Sequence, residues 1–223
     1  MCGINVILRK KGDSRSDHSL IQKMNEEMRY RGPDGSGIWS SDEVTLGMVR
    51  LSIIGLATGQ QPIFSSDKSL VLVCNGEIYN YVELRDSLIK RGRVFQTDSD
   101  VETILHLYEE KGEEAVKDLR GMFAFALWDS KKRKLFVGRD RCGEKPLYIY
   151  ENSDYFLISS EMKAIERHGM TMDGDIDYEI LRQVYQFGYP VDMSKTHITQ
   201  IRRLLPGLVA SLANNEMRTS FYW

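Results

Sequence analysis

The chain has 223 residues, of which 42% are hydrophobic and 28% are charged, and its formal net charge at pH 7 is −2. This composition is ordinary for a globular protein of one large or two small domains, and it provides no basic surface of the kind that binds nucleic acid or an anionic membrane. No apolar run reaches about 18 residues, which predicts no membrane span. Three widely spaced cysteines argue against a disulfide framework or a zinc site and indicate a reducing, cytoplasmic compartment. We expect Cys74 and Cys142 to be buried packing residues.

The chain opens with Met1-Cys2-Gly3, and the apolar, β-branched residues 4–9 predict a strand directly after it. Methionine aminopeptidases remove Met1 when the next side chain is small, so we expect the mature chain to begin at Cys2. That residue would carry both a nucleophilic thiol and a free α-amino group, whose reference pKa of about 7.7–8.0 lets it accept the thiol proton. The alternative is that Cys2 is a small buried residue at the start of a strand.

A helix is predicted next, because apolar residues recur every four positions from Leu20 to Met28 behind a cap at Ser16 or Asp17. It must end near residues 31–35, Arg-Gly-Pro-Asp-Gly, where glycine and proline predict a loop. This loop is either a simple turn or the border of a polar ligand site.

Residues 44–48 alternate between apolar and polar side chains and predict a strand, and Arg50 opens the segment Arg-Leu-Ser-Ile-Ile that follows. A guanidinium among apolar residues needs partners for its five donors. Arg50 is therefore either a surface residue on a half-buried strand or a fork that binds a carboxylate through two hydrogen bonds.

Residues 70–74 predict another strand, and the pair Asn75-Gly76 follows it. Asn-Gly between apolar runs is the strongest short signal for a hairpin turn. The same pair can also form an oxyanion hole from the asparagine side-chain amide and the glycine backbone N–H. The next helix is predicted to begin at a cap on Asn80 and to end at Gly92.

A third helix is predicted from a capping box in which Ser99 is followed three residues later by Glu102. Asp100 lies in the first turn of this helix, where the helix dipole favours a carboxylate. Its alternative role is to bind the ammonium group of a ligand.

The rest of the chain is rich in strands. They are predicted over residues 122–128, 134–138, 148–150, 155–159, 208–212 and 218–222, with helices over residues 161–167 and 177–187. Residues 122–128 are apolar on both faces, so this strand is expected to be covered on both sides. Strands joined by hairpins with few helices predict an α+β fold with stacked sheets and helices outside them.

Eight segments occur in a specific order along the chain. They are Cys2-Gly3-Ile4, RGPDGSG from Arg31, RLSII from Arg50, NGEIYN from Asn75, SDVETIL from Ser99, GMFAFALWD from Gly121, GRDRCGEKPLY from Gly138 and SSEMKAI from Ser159. Together they resemble the class II glutamine amidotransferase domain of the asparagine synthetase family, and the resemblance covers residues 1–165. Two positions depart from the family pattern, with Val6 where glycine is usual and Tyr30 where histidine is common.

The resemblance implies an α+β fold of the N-terminal nucleophile hydrolase type, a four-layer αββα sandwich of two antiparallel sheets, with a glutaminase domain over residues 1–190. It implies hydrolysis of L-glutamine to glutamate and ammonia through a thioester on Cys2, with the Cys2 amine as the base and no metal. The implied oxyanion hole consists of Asn75 and the Gly76 N–H. The implied substrate-binding residues are Arg50 for the α-carboxylate, Asp100 for the α-ammonium group, and Leu51, Ile53, Ile54, Asn75, Gly76 and Glu77 for the rest of the pocket.

The same resemblance implies a partner. Family members of this kind continue into a synthetase domain that activates an acceptor carboxylate with ATP and Mg, and residues 191–223 are expected to supply closing strands and the lead-in to it. The Ser-Gly-Gly phosphate loop of that domain is not in the sequence, so the domain is expected in cis or in trans and no cofactor is expected within these residues. The expected ligand is L-glutamine, neither nucleic acid nor a membrane is an expected partner, and a homodimer is compatible with the family.

Two other functions remain open from the sequence. A non-catalytic, glutaminase-like scaffold for a synthetase would typically have lost its nucleophile or its binding residues, whereas Cys2, Arg50, Asn75 and Asp100 are all present. Another N-terminal nucleophile amidohydrolase, acting on a different amide, would lack the pair of Arg50 and Asp100.

Overall fold

The computed structural model describes residues 1–13, 17–167 and 176–223. The strands of these segments are β1 (Gly3–Arg9), β2 (Gly35–Ser40), β3 (Val44–Arg50), β4 (Ile63–Phe64), β5 (Leu70–Ile78), β6 (Gly121–Asp129), β7 (Lys134–Arg139), β8 (Tyr148–Glu151), β9 (Tyr155–Ser159), β10 (Ile201–Arg203), β11 (Leu208–Ala213) and β12 (Glu216–Phe221). The helices are α1 (His18–Glu27), α2 (Tyr81–Lys90), α3 (Glu102–Lys111), α4 (Met162–Glu166) and α5 (Tyr178–Phe187), with a 3₁₀ helix at Gly112–Asp118.

The strands form two six-stranded sheets. The β1 sheet has the order β10-β8-β9-β1-β3-β2, and the β5 sheet has the order β12-β11-β7-β6-β5-β4. Neighbouring strands within each sheet run antiparallel. The predicted α+β class with antiparallel sheets is therefore confirmed.

The two sheets pack face to face through the alternate side chains of their strands. Ile4, Val6 and Leu46 of the β1 sheet meet Val71 and Val73 of the β5 sheet in one buried cluster. The outer face of the β5 sheet packs against α2 and α3, and the outer face of the β1 sheet packs against α1 and α4. The result is the predicted four-layer αββα sandwich, with the unusual Val6 fully buried in its central layer.

Three strands, β2, β4 and β10, are not predicted by the sequence pattern. β4 and β10 have two and three residues, too few to show alternation. β2 contains Gly35 and Gly37, and glycine is depleted in strands. A Cβ at Gly37 would lie 1.9 Å from the carbonyl oxygen of Gln61, so the close approach of this neighbouring segment requires glycine there.

The predicted capping box of α3 is wrong, although the helix itself is present. The residue before the helix is Val101, and the Glu102 carboxylate accepts hydrogen bonds from the backbone N–H groups of Gln96 and Thr97 at 2.7 Å each. The expected bond between Glu102 and Ser99 is replaced because the preceding loop folds back over the helix start and offers nearer donors.

The other two predicted caps are likewise used for tertiary contacts. Asn80 precedes α2, but its side-chain amide bridges two backbone groups just before β6. Asp17 precedes α1, but its carboxylate pairs with the guanidinium of Arg9, and Ser16 lies outside the described residues. Long-range partners therefore replaced the local capping bonds that the sequence pattern predicted.

The last strands extend both sheets at their edges. β10 pairs with β8 in the β1 sheet, and β11 pairs with β7 in the β5 sheet. The division of the chain at residue 190 stays a prediction. Within the described segments, no helix is both long enough and apolar enough to cross a membrane.

Candidate active site

Three strands bring a reactive or polar side chain to the same end of the inter-sheet core. Cys2 precedes β1, Arg50 ends β3 and Asn75 lies within β5, and each is two residues along the chain from an apolar residue of that core. Because side chains alternate across a strand, all three share the inward direction of the core. They line one cavity at the edge of the sandwich.

Every residue that the sequence predicted for the site lines this cavity. These residues are Cys2, Arg50, Leu51, Ile53, Ile54, Asn75, Gly76, Glu77 and Asp100. The lining is completed by Met1, Gln61, Ser99, Val101, Met122 and Lys145, none of which the sequence predicted. The structure thus brings the predicted set together, while the role of each residue stays a prediction.

The thiol of Cys2 is held by backbone groups at the end of β3. Its Sγ accepts a hydrogen bond from the Leu51 N–H at 3.3 Å and donates one to the Leu51 carbonyl at 3.5 Å. The Cys2 carbonyl accepts a hydrogen bond from Nε of Arg31 at 2.9 Å, and Arg31 in turn pairs with Glu161. The Arg-Gly-Pro-Asp-Gly loop is therefore more than a turn, because it anchors the start of the chain.

Tyr30, at the second unusual position, joins this anchor from the outside. Its hydroxyl donates to Oε1 of Glu161 at 2.9 Å, and its side chain is otherwise largely exposed. The tyrosine thus lies at the surface beside the Arg31–Glu161 pair rather than in the cavity lining.

Burial raises the pKa of the Cys2 thiol, because a thiolate loses solvation in the half-buried position. Four features act against this effect, namely the Leu51 N–H, the N-terminal ammonium group, Arg50 and Lys145. The site therefore combines a shielded sulfur with several positive or hydrogen-bonding groups that favour its anion.

Asn75 and Gly76 do not form a hairpin turn, which corrects the strongest local signal in the sequence. Both lie within β5, where they pair with Ala124 and Phe123 of β6. A Cβ at Gly76 would lie 2.3 Å from the carbonyl oxygen of Met122, so glycine serves close strand packing rather than a turn. The strand continues through the pair because β6 offers an uninterrupted partner.

The side-chain amide of Asn75 is buried with an unused donor. The residue is 1% exposed, and its Nδ2 has no hydrogen-bond partner among the described residues. Buried polar groups are nearly always paired, so an unpaired amide lining a cavity marks a position where a ligand atom can bind.

The backbone N–H of Gly76 points to the same cavity. On either side of it in β5, the Cys74 N–H donates to the Gln61 side chain at 2.6 Å and the Ile78 N–H donates to Asp100 at 2.7 Å. Alternate N–H groups of a strand share one edge, so the Gly76 N–H lies on this edge, away from β6. β4 covers the edge only near the start of β5, which leaves this donor open.

Arg50 is buried rather than at the surface. It is 4% exposed, and its NH2 group donates to the carbonyl oxygens of Ile54 at 3.0 Å and Gly55 at 2.8 Å. The backbone after β3 thus wraps around the guanidinium and fixes its orientation beside the cavity.

Asp100 contributes a carboxylate to the cavity lining. Its Oδ2 accepts the hydrogen bond from the Ile78 N–H, and the residue is buried. Burial raises the pKa of the Asp100 carboxyl, the Ile78 N–H partly offsets this, and the nearby Glu77 charge adds to the rise. A cationic ligand group would oppose this shift, because a positive charge favours the carboxylate form.

The residues that sequence reasoning missed differ in how they could have been found. Gln61 bonds both backbone groups of Cys74 with its side-chain amide, replacing a missing strand neighbour, and no pattern predicts this. Lys145 belongs to the segment GRDRCGEKPLY, which carried part of the resemblance, yet nothing in its spacing predicts a place beside Cys2. Of the two cysteines predicted as packing residues, Cys74 is buried, whereas Cys142 is exposed because it lies in the loop after β7.

The described residues contain no group of three or more His, Cys, Asp or Glu side chains arranged to hold a metal ion. The polar groups of the cavity are instead a thiol, a guanidinium, an amide and a carboxylate. This set matches an amino acid with a side-chain carbonyl better than it matches a metal.

A solved structure has the same fold across the whole chain. Glutamine phosphoribosylpyrophosphate (PRPP) amidotransferase from B. subtilis, complexed with ADP and GMP, superposes with a TM-score of 0.73 at 20% identity, covering 100% of this chain and 49% of that one. This likeness defines the fold as that of the N-terminal nucleophile glutamine amidotransferases.

Sequence comparison assigns the family. A family model described as a glutamine amidotransferase domain matches residues 1–223, so the chain belongs to the glutamine amidotransferase domain family. Asparagine synthetase [glutamine-hydrolyzing] 2 of Bacillus subtilis (strain 168) is 36% identical over 230 residues, which cover 100% of this chain and 30% of that protein. Asparagine synthetase B [glutamine-hydrolyzing] of Escherichia coli (strain K12) is 45% identical over 166 residues, which cover 74% of this chain and 30% of that protein. The chain thus spans less than a third of the length of these relatives.

Proposed function

We propose that this chain hydrolyses L-glutamine to glutamate and ammonia at Cys2 and delivers the ammonia to an asparagine-synthetase-like partner. The observation that carries the proposal is the buried, unpaired amide of Asn75 in the cavity of the Cys2 thiol. A buried donor without an acceptor costs about 1–3 kcal/mol of stability. An oxyanion formed on the substrate would supply the acceptor that is missing.

The first half of the reaction forms a thioester. After removal of Met1, the α-amine of Cys2 accepts the thiol proton, and Sγ attacks the side-chain carbonyl carbon of glutamine. The carbonyl oxygen becomes an oxyanion that accepts hydrogen bonds from Asn75 Nδ2 and the Gly76 N–H. As the carbonyl re-forms, the C–N bond breaks, and the α-ammonium group returns its proton to the leaving ammonia.

The second half releases glutamate. A water molecule gives a proton to the Cys2 α-amine and attacks the thioester carbon, and the same two donors stabilise the second oxyanion. The C–S bond then breaks, the sulfur takes back the proton, and glutamate leaves. Glutamine and water are converted to glutamate and ammonia with no change at Cys2.

Two charged residues of the cavity lining recognise the amino-acid end of the substrate. Arg50 presents its guanidinium to the α-carboxylate, and Asp100 presents its carboxylate to the α-ammonium group, with Glu77 adding negative charge. Leu51, Ile53 and Ile54 contribute further lining of the cavity. This pair of opposite charges selects a free amino acid over a simple amide.

The synthetase partner is supported by the relatives. Those named above are glutamine-hydrolyzing asparagine synthetases, and this chain matches 30% of each. ATP and Mg would serve the synthetase portion, in cis or in trans, and the thioester chemistry of this chain requires neither.

Ammonia release from L-glutamine by the 223-residue protein, without ATP or added metal, tests the proposal. We expect release by a protein whose intact mass shows that Met1 has been removed, and loss of at least about a thousandfold in Cys2→Ala, which lacks the nucleophile. A protein that keeps an uncleaved N-terminal tag should lose nearly as much, because its Cys2 nitrogen is an amide and cannot act as a base.

Two outcomes would contradict the proposal. A folded, processed protein that releases no ammonia at high glutamine concentration would indicate a non-catalytic scaffold. Equal hydrolysis of glutamine and of a glutamine whose α-amine and α-carboxylate are blocked would indicate an amidohydrolase with a different substrate.

A further inference from the structure

Lys145 is a buried cation in the cavity for which the thioester mechanism assigns no task. The residue is 6% exposed and lines the cavity with Cys2. In the part of the chain that the structure describes, its Nζ has one hydrogen-bond partner, Met1 Sδ at 3.8 Å. A thioether sulfur is a weak acceptor, so the charge of this ammonium group is hardly neutralised.

Met1 is the residue whose removal the proposed function requires. Its loss takes away the sulfur partner of Lys145 and creates the free α-amine of Cys2 in the same part of the cavity. The backbone of Lys145 is held independently, because its N–H donates to Asp140 at 3.0 Å and its carbonyl accepts Nε of Arg139 at 2.7 Å. These bonds do not involve Met1, so the backbone of Lys145 keeps its place at the cavity when Met1 is removed.

The other cations near Cys2 are already engaged. Arg31 pairs with Glu161 and with the Cys2 carbonyl, and Arg50 donates to carbonyl oxygens of the segment after β3. The charged and titratable groups around the sulfur are Arg31, Arg50, Lys145, Glu77, Asp100 and Cys74. Of the three cations among them, Lys145 is the one whose charge no carboxylate or carbonyl group takes up within the described residues.

We propose that Lys145 is a positioning residue of the glutaminase site whose ammonium group favours the reactive form of the mature Cys2. One positive charge acts on both groups of that residue in the useful direction. It disfavours a second cation, which keeps the α-amine neutral and able to accept a proton, and it favours an anion on Sγ. This inference rests on the proposed function, because it concerns the N-terminus that exists only after Met1 is removed.

The effect already exists before Met1 is removed. Burial raises the pKa of the Cys2 thiol, and the charge of Lys145 is one of the influences that lower it again.

Three variants test the proposal in a Cys142→Ser background, which removes the exposed thiol. Lys145→Met keeps a long side chain without charge, Lys145→Arg keeps the charge, and Lys23→Met removes an exposed lysine on α1 as the matched control. The rate of Cys2 alkylation by iodoacetamide is measured against pH, with peptide mass mapping to confirm the site, and kcat and KM are measured for glutamine.

We expect Lys145→Met to move the alkylation midpoint up by about one pH unit, the size expected for a unit charge at close range in a protein interior. In the same variant, kcat should fall about tenfold with little change in KM. Lys145→Arg should restore most of both values, and Lys23→Met should match the parent. The substitution Lys145→Met removes a buried, poorly solvated charge, so the melting temperature of this variant should equal or exceed that of the parent.

Two results would overturn the inference. An unchanged alkylation profile in Lys145→Met would exclude an electrostatic role, and a lower melting temperature with equal loss in Lys145→Arg would indicate a packing role. The proposed function is judged separately by ammonia release from the parent protein. Alkylation requires no glutamine, so a shifted profile in an inactive parent would leave the action of Lys145 on Cys2 standing while the proposed function fails.

Discussion

Two parts of the cavity lining differ in how completely their hydrogen bonds are made, namely the charged residues Arg50 and Asp100, here called the walls, and the amide of Asn75, here called the floor. On the walls, Arg50 donates to backbone carbonyls and Asp100 accepts a backbone N–H, so both are oriented before any ligand arrives. On the floor, the Asn75 amide is buried without an acceptor. Under the proposed function, the groups that bind the permanent charges of the amino acid are thus hydrogen-bonded in advance, while the group that stabilises a charge developing only in the reaction is kept open.

Among the wall and floor residues, replacement of the open donor should have the largest effect on the chemical step. Asn75→Ala should lower kcat by about 10²–10³ and change KM much less, because the oxyanion exists only after attack. Steady-state ammonia release across glutamine concentrations gives both constants. A change in KM alone would show that the amide binds the ground state instead.

Asn25 provides the matched control for that experiment. It is also a buried asparagine, but its Oδ1 accepts a hydrogen bond from Asn5 at 2.9 Å and its Nδ2 contacts backbone carbonyls outside the cavity. Asn25→Ala should cost about 1–3 kcal/mol in the free energy of unfolding, because it leaves partners unpaired, with kcat almost unchanged. Asn75→Ala removes an Nδ2 donor that has no partner in the folded protein, so it breaks no hydrogen bond at that atom. It should therefore lower the free energy of unfolding less than Asn25→Ala does, and chemical denaturation measures both values.

Replacement of a wall residue should have an effect of intermediate size, and it should weaken substrate binding more than it slows the chemical step. Arg50→Lys keeps the charge but loses the two-pronged geometry, so KM should rise by about 10- to 100-fold, the value of one or two charged hydrogen bonds, with a smaller change in kcat. Arg91→Lys, at an exposed ion pair with Glu110, is the control and should change neither constant. A fall in kcat as large as the rise in KM would place Arg50 in the chemical step.

Local sequence patterns explain which parts of the site the sequence predicts. The apolar runs at residues 4–9 and 70–74 and the alternation at residues 44–48 are local signals, so β1, β3 and the first part of β5 are within reach of pattern reasoning. The resemblance of eight ordered segments supplied the grouping of Cys2, Arg50 and Asn75.

Contacts that no local pattern encodes decide the features that the sequence mispredicts. Asn75-Gly76 has the composition of a turn, and only the pairing of β5 with β6 along its full length makes it part of a strand. The Glu102 carboxylate accepts hydrogen bonds from the loop N–H groups of Gln96 and Thr97 instead of from Ser99, because the loop folds back over the start of α3. Lys145 meets Met1 across most of the chain, and no spacing or propensity encodes that contact.

The smallest expected effect is a pH dependence that belongs to the wall formed by Asp100. Burial raises the pKa of this carboxyl above that of an exposed aspartate, about 3.9, so it takes up a proton at a higher pH. Protonation removes the charge that the substrate ammonium group needs, so KM for glutamine should rise as pH falls through the raised pKa.

The effect of the same proton on the stability of the fold has the opposite direction. The folded state holds this proton more tightly than the unfolded state, so the contribution of Asp100 to stability falls as pH rises between the ordinary and the raised pKa. Asp100→Asn should therefore have a high KM that lacks this acid-side step, and it should be at least as stable as the parent at neutral pH. A parent KM that stays flat down to the ordinary aspartate range, measured beside the variant, would show that Asp100 does not bind the ammonium group through its charge.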